Sequence, residues 1–218
     1  MKVRRVILVA GMPGSGKSVV AEAAREVGIP VLCMGDVVRE EARRRGIEIT
    51  RESLGLVALE LRREHGMDAV AKMLFDKISE LNSDVALVDG VRSLEEVEFF
   101  RREFEAVVLV GVHASPKTRF ERLRKRGRRD DPKSWSEFVD RDLRELELGL
   151  GSVIALSDVM LINECISRDE ALREAREILS RILDVGKLEK VSRSERRNSR
   201  CCRQAGGAGH GGSSESRV

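Results

Sequence analysis

The sequence predicts an α/β protein in three layers: a five-stranded parallel sheet with helices on both faces. Short apolar runs recur at "VILVA" (6–10), "PVLCM" (30–34), "VALVD" (85–89) and "AVVLVGV" (106–112), with a weaker fifth at "VMLI" (159–162). Within each run the apolar residues are continuous rather than alternating, as in strands covered on both faces. Charged stretches of helical periodicity separate the runs, and this alternation implies an open sheet with right-handed crossovers.

The elements follow in order. "MKVRRVILVAG" has a basic head, but its apolar part is too short for a secretion signal and leads directly into glycines, so it reads as the first strand. Residues 18–27 then form a helix, and residues 36–45 form another after Gly35. Residues 51–81 hold two helices broken near "EHGMD". Helices at 93–103 and 116–126 follow the third and fourth strands. Residues 134–148 begin with "SWSE", in which Ser134 and Glu137 have capping-box spacing. Residues 168–184 read as a last amphipathic helix. From about residue 186 the chain is Ser, Gly and Arg with almost nothing to bury, and it is expected to be disordered. The organisation is thus a folded domain over 1–185 and a tail over 186–218.

Composition sets further bounds. With 218 residues and 41% hydrophobic content the chain can bury one substantial core. Aromatics are 3% and Tyr is absent, so that core is expected to be Val, Leu, Ile and Ala. No apolar run nears the roughly 20 residues a membrane-spanning helix needs. The four cysteines lack metal-ligand spacing with any His, which suits a reduced, cytoplasmic protein. His65 and His113 read as structural, and His210 has no assigned role. The net charge of +3 is uneven: the tail holds eight Lys/Arg and three Asp/Glu, a net of +5, which leaves residues 1–185 at −2. The basic pI is therefore no nucleic-acid signature of the whole chain.

The chemistry begins at "GMPGSGKS", residues 11–18, which fits G-x-x-x-x-G-K-[ST]. Gly11, Met12, Pro13, Gly14, Ser15, Gly16, Lys17 and Ser18 form a loop between a strand and a helix, as the phosphate-binding loop (P-loop) requires. Glycines let successive N–H groups converge on one concavity, and the helix N-terminus adds its dipole. Lys17 would reach the β- and γ-phosphates of ATP, and the Ser18 hydroxyl would ligate Mg²⁺. The fold class is accordingly a three-layer P-loop NTPase.

Further pieces follow in order: "MGDVVREEARRRG", "DGVRS", "HASPKTRFERLRKRGRRDDP", "RD" at 141–142 and "INE" at 162–164. With the loop, they resemble the nucleoside-monophosphate-kinase group. The nearest likeness is an archaeal P-loop kinase-like family related to adenylate kinase and dephospho-CoA kinase. The resemblance covers about residues 3–183. It implies an ATP- and Mg²⁺-dependent phosphotransferase with a small helical lid over about 122–148. In "MGDVVR", Asp36 and Arg39 would meet the acceptor, Arg39 holding a phosphate and Asp36 serving as a base or only as a helix N-cap. In "DGVR", Asp89 would sit near Mg²⁺ and Arg92 would face the acceptor, although D-G-F-P-R of adenylate kinases is one residue longer. Residues 117–129 hold eight basic residues, and Arg119, Arg122 and Arg126 share one helix side. The resemblance implies that Arg122 stacks on the ATP base, that Arg126 contacts phosphates, and that Arg128, Arg129 and Arg141 belong to the closing lid. Lys17, Asp36, Arg92 and Arg126 are then the expected catalytic set. A nucleoside monophosphate is the first expectation for the acceptor and a dephospho-CoA-type hydroxyl the second. A nucleic-acid-associated or regulatory ATPase, resting on the basic tail, is the lesser expectation. No membrane partner is expected, and the sequence gives no oligomeric state.

Overall fold

The computed structural model describes residues 2–128 and 131–184. The chain divides into two units, Met1–Leu179 and Ser180–Val218, and of the second only residues 180–184, which are helical, are described. The tail 186–218, with Cys201, Cys202 and His210, lies outside the described residues, as does Arg129.

Strands β1 (Arg5–Ala10), β2 (Val31–Cys33), β3 (Val85–Asp89), β4 (Ala106–His113) and β5 (Val159–Ile162) form one parallel sheet in the order β2-β3-β1-β4-β5. Central β1 pairs on both sides, with Ile7 opposite Leu87 in β3 and Val108 in β4. Successive side chains of a strand leave on opposite faces. Val6, Leu8 and Ala10 therefore enter one core, while Ile7 and Val9 are equally buried on the other pleat. That double burial is why β1 reads as an unbroken apolar run. The edge strand β5 has Leu161 buried while Met160 and Ile162 are exposed, which explains its weaker signal.

Helices α1 (Lys17–Glu26), α2 (Met34–Arg44), α3 (Arg51–His65), α4 (Ala69–Ser79), α5 (Leu94–Glu103), α6 (Pro116–Arg126), α7 (Trp135–Glu147), α8 (Leu150–Ala155) and α9 (168–184) complete the layers. Ser93, Ser115 and Ser134 start α5, α6 and α7, each accepting from the backbone N–H three residues on. The capping box expected at Ser134 and Glu137 is only half formed. Glu137 N–H donates to Ser134 Oγ, but the Glu137 carboxylate accepts from the Lys133 N–H. The reciprocal box occurs at α3, where Thr50 and Ser53 exchange both bonds. The single turn-and-a-half of α8 was not expected, because six residues are too few to show a period.

The core is mostly Val, Leu, Ile and Ala, with one correction: Phe100 and Phe138 are among the largest fully buried side chains. Phe75, Phe99, Phe100 and Phe104 pack ring on ring, with centroids 5.7–6.1 Å apart. A low aromatic content does not keep aromatics out of the core, because each ring buries a large area.

The carboxyl ends of β1 and β3 lie side by side, with Val9 opposite Asp89. Ligands of open α/β sheets sit at such ends, where the connections diverge. This placement puts the loop that starts at Gly11 at the same end of the sheet as Asp89.

Candidate active site at the carboxyl ends of β1 and β3

The loop after β1 is constrained by close packing. Gly16 has φ 97°, and a Cβ there would lie 2.1 Å from Asn163 Nδ2. At Gly11 a Cβ would lie 2.5 Å from the Val112 carbonyl. Only glycine fits either place. Gly16 is also the N-cap of α1 and leaves the helix start without a side-chain cap, unlike α5, α6 and α7. The first amides of α1 therefore have no side-chain acceptor, which suits an anion.

Lys17 Nζ donates to the Gly11 carbonyl at 2.6 Å and to that of Met12 at 3.5 Å. Burial pushes its ammonium below the ordinary lysine range; Asp89 and Glu145 pull it back up, and Arg92 and Arg141 push it further down. Lys17 is thus the centre of a set drawn from β3, the turn after it, and α7. Burial raises the Asp89 carboxyl, against the pull of Lys17, Arg25 and Arg92. Asp89 Oδ1 is buried and has no hydrogen-bond partner among the described residues. Magnesium is held by one or two protein oxygens together with substrate phosphates rather than by an all-protein cage. The unpartnered Asp89 oxygen and the exposed Ser18 hydroxyl fit that donor set. Among the described residues no group of three or more His, Cys, Asp or Glu forms a cage.

Helix α6 fixes the loop's carbonyls. Arg119 donates to the carbonyls of Pro13 at 3.2 Å and Ala114 at 3.1 Å, and pairs with Asp142 of α7 through both guanidinium nitrogens. Arg122 donates to Ser15 O at 3.4 Å and to Asn163 O and Oδ1 at 3.0 and 3.1 Å. Asn163, just after β5, closes the ring by donating Nδ2 to Ser15 O at 2.9 Å. Its neighbour Glu164 accepts from the Ser115 N–H at 2.6 Å and so ties β5 to the start of α6.

The acceptor candidates lie on α2 and the turn after β3. Cys33, not Asp36, is the N-cap of α2; Asp36 lies in the first turn and pairs with Arg39. The N-cap reading of Asp36 is thereby corrected, since the helix begins two residues before it. Asp36 raises the Asp89 carboxyl, so its charge reaches the phosphate end of the cleft. Gly90 has φ 97° and donates its N–H to Val9 O at 2.9 Å, which turns the chain so that Arg92 follows. The Arg92 N–H donates to Glu96 Oε2 at 2.8 Å, and its Nε lies 3.5 Å from Glu145 Oε2. Buried Glu96 is held in turn by buried Arg62 of α3 at 2.8 Å.

A sequence profile described as an AAA domain matches residues 10–138. The UPF0200 protein of Hyperthermus butylicus is 57% identical over 183 residues, covering 84% of this chain and 97% of that one. The chain belongs to the UPF0200 family. The fold of this UPF0200 chain is a five-stranded parallel sheet flanked by helices, with the P-loop after β1. It is similar to a shikimate kinase from Bacteroides thetaiotaomicron, with TM-score 0.55, 19% identity, and coverage of 84% of this chain and 99% of that one. It is also similar to a gluconokinase from Sinorhizobium meliloti, with TM-score 0.51, 19% identity, and coverage of 87% and 99%.

In this UPF0200 chain the expected residues divide into three groups. Lys17, Asp89 and Arg92 converge, with Asp36 and Arg141 within electrostatic reach. Arg122 lies against the loop backbone. Arg126 pairs with Asp131, whose carboxylate also accepts the Arg128 N–H at 3.0 Å and lies 3.6 Å from Arg141. Sequence reasoning singled out Asp142 and Asn163 only within the pieces "RD" and "INE", without a role, and missed Glu145 and the Arg62–Glu96 pair. A signal for Glu145 did exist: it lies one helical turn after Arg141, on the same side of α7. Exposed His65 and His113 stand apart from the converging set.

Proposed function

We propose that the chain transfers the γ-phosphoryl group of ATP to a small nucleotide-like acceptor. One observation carries the reading: a P-loop lysine held on its own loop carbonyl, within electrostatic reach of Asp89, one carboxylate oxygen of which is buried without a hydrogen-bond partner among the described residues. Phosphoryl transfer needs positioning and charge stabilisation rather than a covalent nucleophile, and this set offers both. Residues 11–18 would hold the triphosphate. Ser18 and Asp89 would hold Mg²⁺, which neutralises charge on the phosphates when bound. The acceptor would lie between Asp36–Arg39 and Arg92. Arg126, Arg128 and Arg141 would close over the γ-phosphate once freed from Asp131, Arg129 remains a lid residue on the sequence reading alone, and Arg122 would meet the base.

Two acceptor types remain from the sequence, a nucleoside monophosphate and a hydroxyl. The hydroxyl is favoured by one specific observation. Arg39 and Arg92, the two cations that would screen an acceptor phosphate, each already face a carboxylate of this chain. The nucleic-acid reading has less support. Phe120 and Trp135, the aromatics nearest the basic helix, pack edge to face at 5.3 Å, and Phe138 packs against both.

The experiment is incubation of the full chain with ATP and Mg²⁺, singly with a panel of nucleoside monophosphates, dephospho-CoA, shikimate and gluconate, with ADP and product mass as readouts. Lys17→Ala is expected to abolish transfer while circular dichroism stays unchanged. If ADP never appears faster with any acceptor than without one, the phosphotransfer reading is wrong.

A further inference from the structure

We propose that Glu145 selects the acceptor: its carboxylate accepts the hydrogen bond of an acceptor hydroxyl and turns away an acceptor phosphate. This rests on the phosphotransfer reading and names its substrate class.

Glu145 belongs to α7, one turn beyond Arg141. Its Oε2 is fully buried and makes no hydrogen bond. The 3.5 Å to Arg92 Nε is an ion pair too long and too poorly aligned to satisfy it. The charge is close enough to Lys17 to act on it. The carboxylate therefore stands at the phosphate-transfer end of the cleft with an unused lone pair. A buried acceptor atom without a donor is costly and uncommon in folded proteins. A donor supplied by the substrate would remove that cost. Asp36, the other carboxylate near the acceptor, is 62% exposed and already held by Arg39, whereas the Glu145 side chain is 14% exposed. Glu145 is the better desolvated of the two, and so the stronger hydrogen-bond acceptor.

The charges agree. A phosphate drawn to Arg92 meets the Glu145 carboxylate at the same guanidinium, and like charges brought together at a desolvated site are strongly disfavoured. A neutral hydroxyl meets no such barrier. In the step itself the hydroxyl oxygen bonds to the γ-phosphorus while the bond from that phosphorus to the β–γ bridging oxygen breaks. The breaking bond's electron pair leaves with the nucleoside diphosphate, and the hydroxyl proton passes to Glu145 Oε2.

Two measurements on the full chain test this. In the first, AMP is titrated calorimetrically into the wild type, Glu145→Gln and Glu145→Ala, with thermal unfolding of each recorded. Removing the charge is expected to tighten AMP by about tenfold or more, because Arg92 loses its competing carboxylate. Glu145→Gln keeps the shape and carries the test if the alanine variant is unstable. AMP binding as tight to the wild type as to Glu145→Gln overturns the proposal. In the second, transfer to dephospho-CoA, shikimate and gluconate is compared between wild type and Glu145→Gln. The expected result is a kcat loss of about 10²–10⁴-fold with ATP affinity retained. Transfer to monophosphates alone overturns the proposal but leaves phosphotransfer standing. A chain that binds no ATP overturns the phosphotransfer reading itself, and a Glu145→Gln enzyme within about tenfold of wild type removes Glu145 from the step.

Discussion

Replacing Arg62 by Met tests whether a buried ion pair holds the turn that carries Arg92. The Arg62 and Glu96 side chains are 4% and 0% exposed, and their closest nitrogen and oxygen are 2.8 Å apart. The same Glu96 carboxylate accepts the Arg92 N–H with its other oxygen. Removing the guanidinium leaves a fully buried carboxylate with one backbone donor. Breaking a buried pair in this way costs about 3–5 kcal/mol. For a chain of this size each kcal/mol lowers the melting temperature by roughly 2–4 °C, so the expected fall is about 6–20 °C. The double variant Arg62→Met/Glu96→Gln removes both charges and keeps an oxygen for the Arg92 N–H. It is expected to recover most of the loss. Urea and thermal unfolding of the full-length single and double variants provide the readout. A single-variant loss below about 1 kcal/mol, or a double no more stable than the single, refutes the argument, because an uncompensated buried charge cannot be that cheap. In an active preparation the single variant should also raise the acceptor KM more than the ATP KM, since Glu96 joins Arg62 of α3 to the Arg92 turn.

Gly16→Ala places a Cβ 2.1 Å from Asn163 Nδ2 at a backbone with φ 97°. It is expected to remove ATP binding, measured by calorimetry, and to lower the melting temperature. Glu41 is buried on α2, and hydrogen bonds from Arg44 and then Arg45 hold its carboxyl down to about 2 from an ordinary 4.5. Its folded value lies below its unfolded one, so it contributes stability that is fully present above about pH 4.5 and is lost as pH falls towards 2. Glu41→Gln is expected to flatten the acid limb of stability between those values, followed by urea midpoints at stepped pH; an unchanged limb would rule Glu41 out as its source.

How much of this could be read from residue order alone depends on the range of the forces involved. β1 was the clearest strand because burial on both faces writes a continuous apolar run, as Ile7 and Val9 on one pleat and Leu8 and Ala10 on the other demonstrate, whereas β5, with Met160 and Ile162 exposed, left a weaker one. The break between α3 and α4 was legible because Gly66 adopts φ 95°, and glycine announces such turns. The phosphate loop was legible because its eight residues act through their own backbone, within one strand–turn–helix unit. Glu137 was misjudged because its local partner lost to the Lys133 N–H, a competition of a single residue that spacing does not resolve.

The sequence by itself determined the layer order, the P-loop and the identity of the charges available to it, because these depend on periodicity and on contacts within a few residues. Only the tertiary structure decided which charges meet. Asn163 reaches Ser15 across 148 positions, Arg119 reaches Pro13 across 106, and Glu96 joins Arg62 to the Arg92 turn. The reason is geometric. The parallel crossovers bring the carboxyl ends of β1, β3 and β5 to one end of the sheet, where α7 also supplies charges, and partners there are chosen by distance and burial rather than by place in the chain.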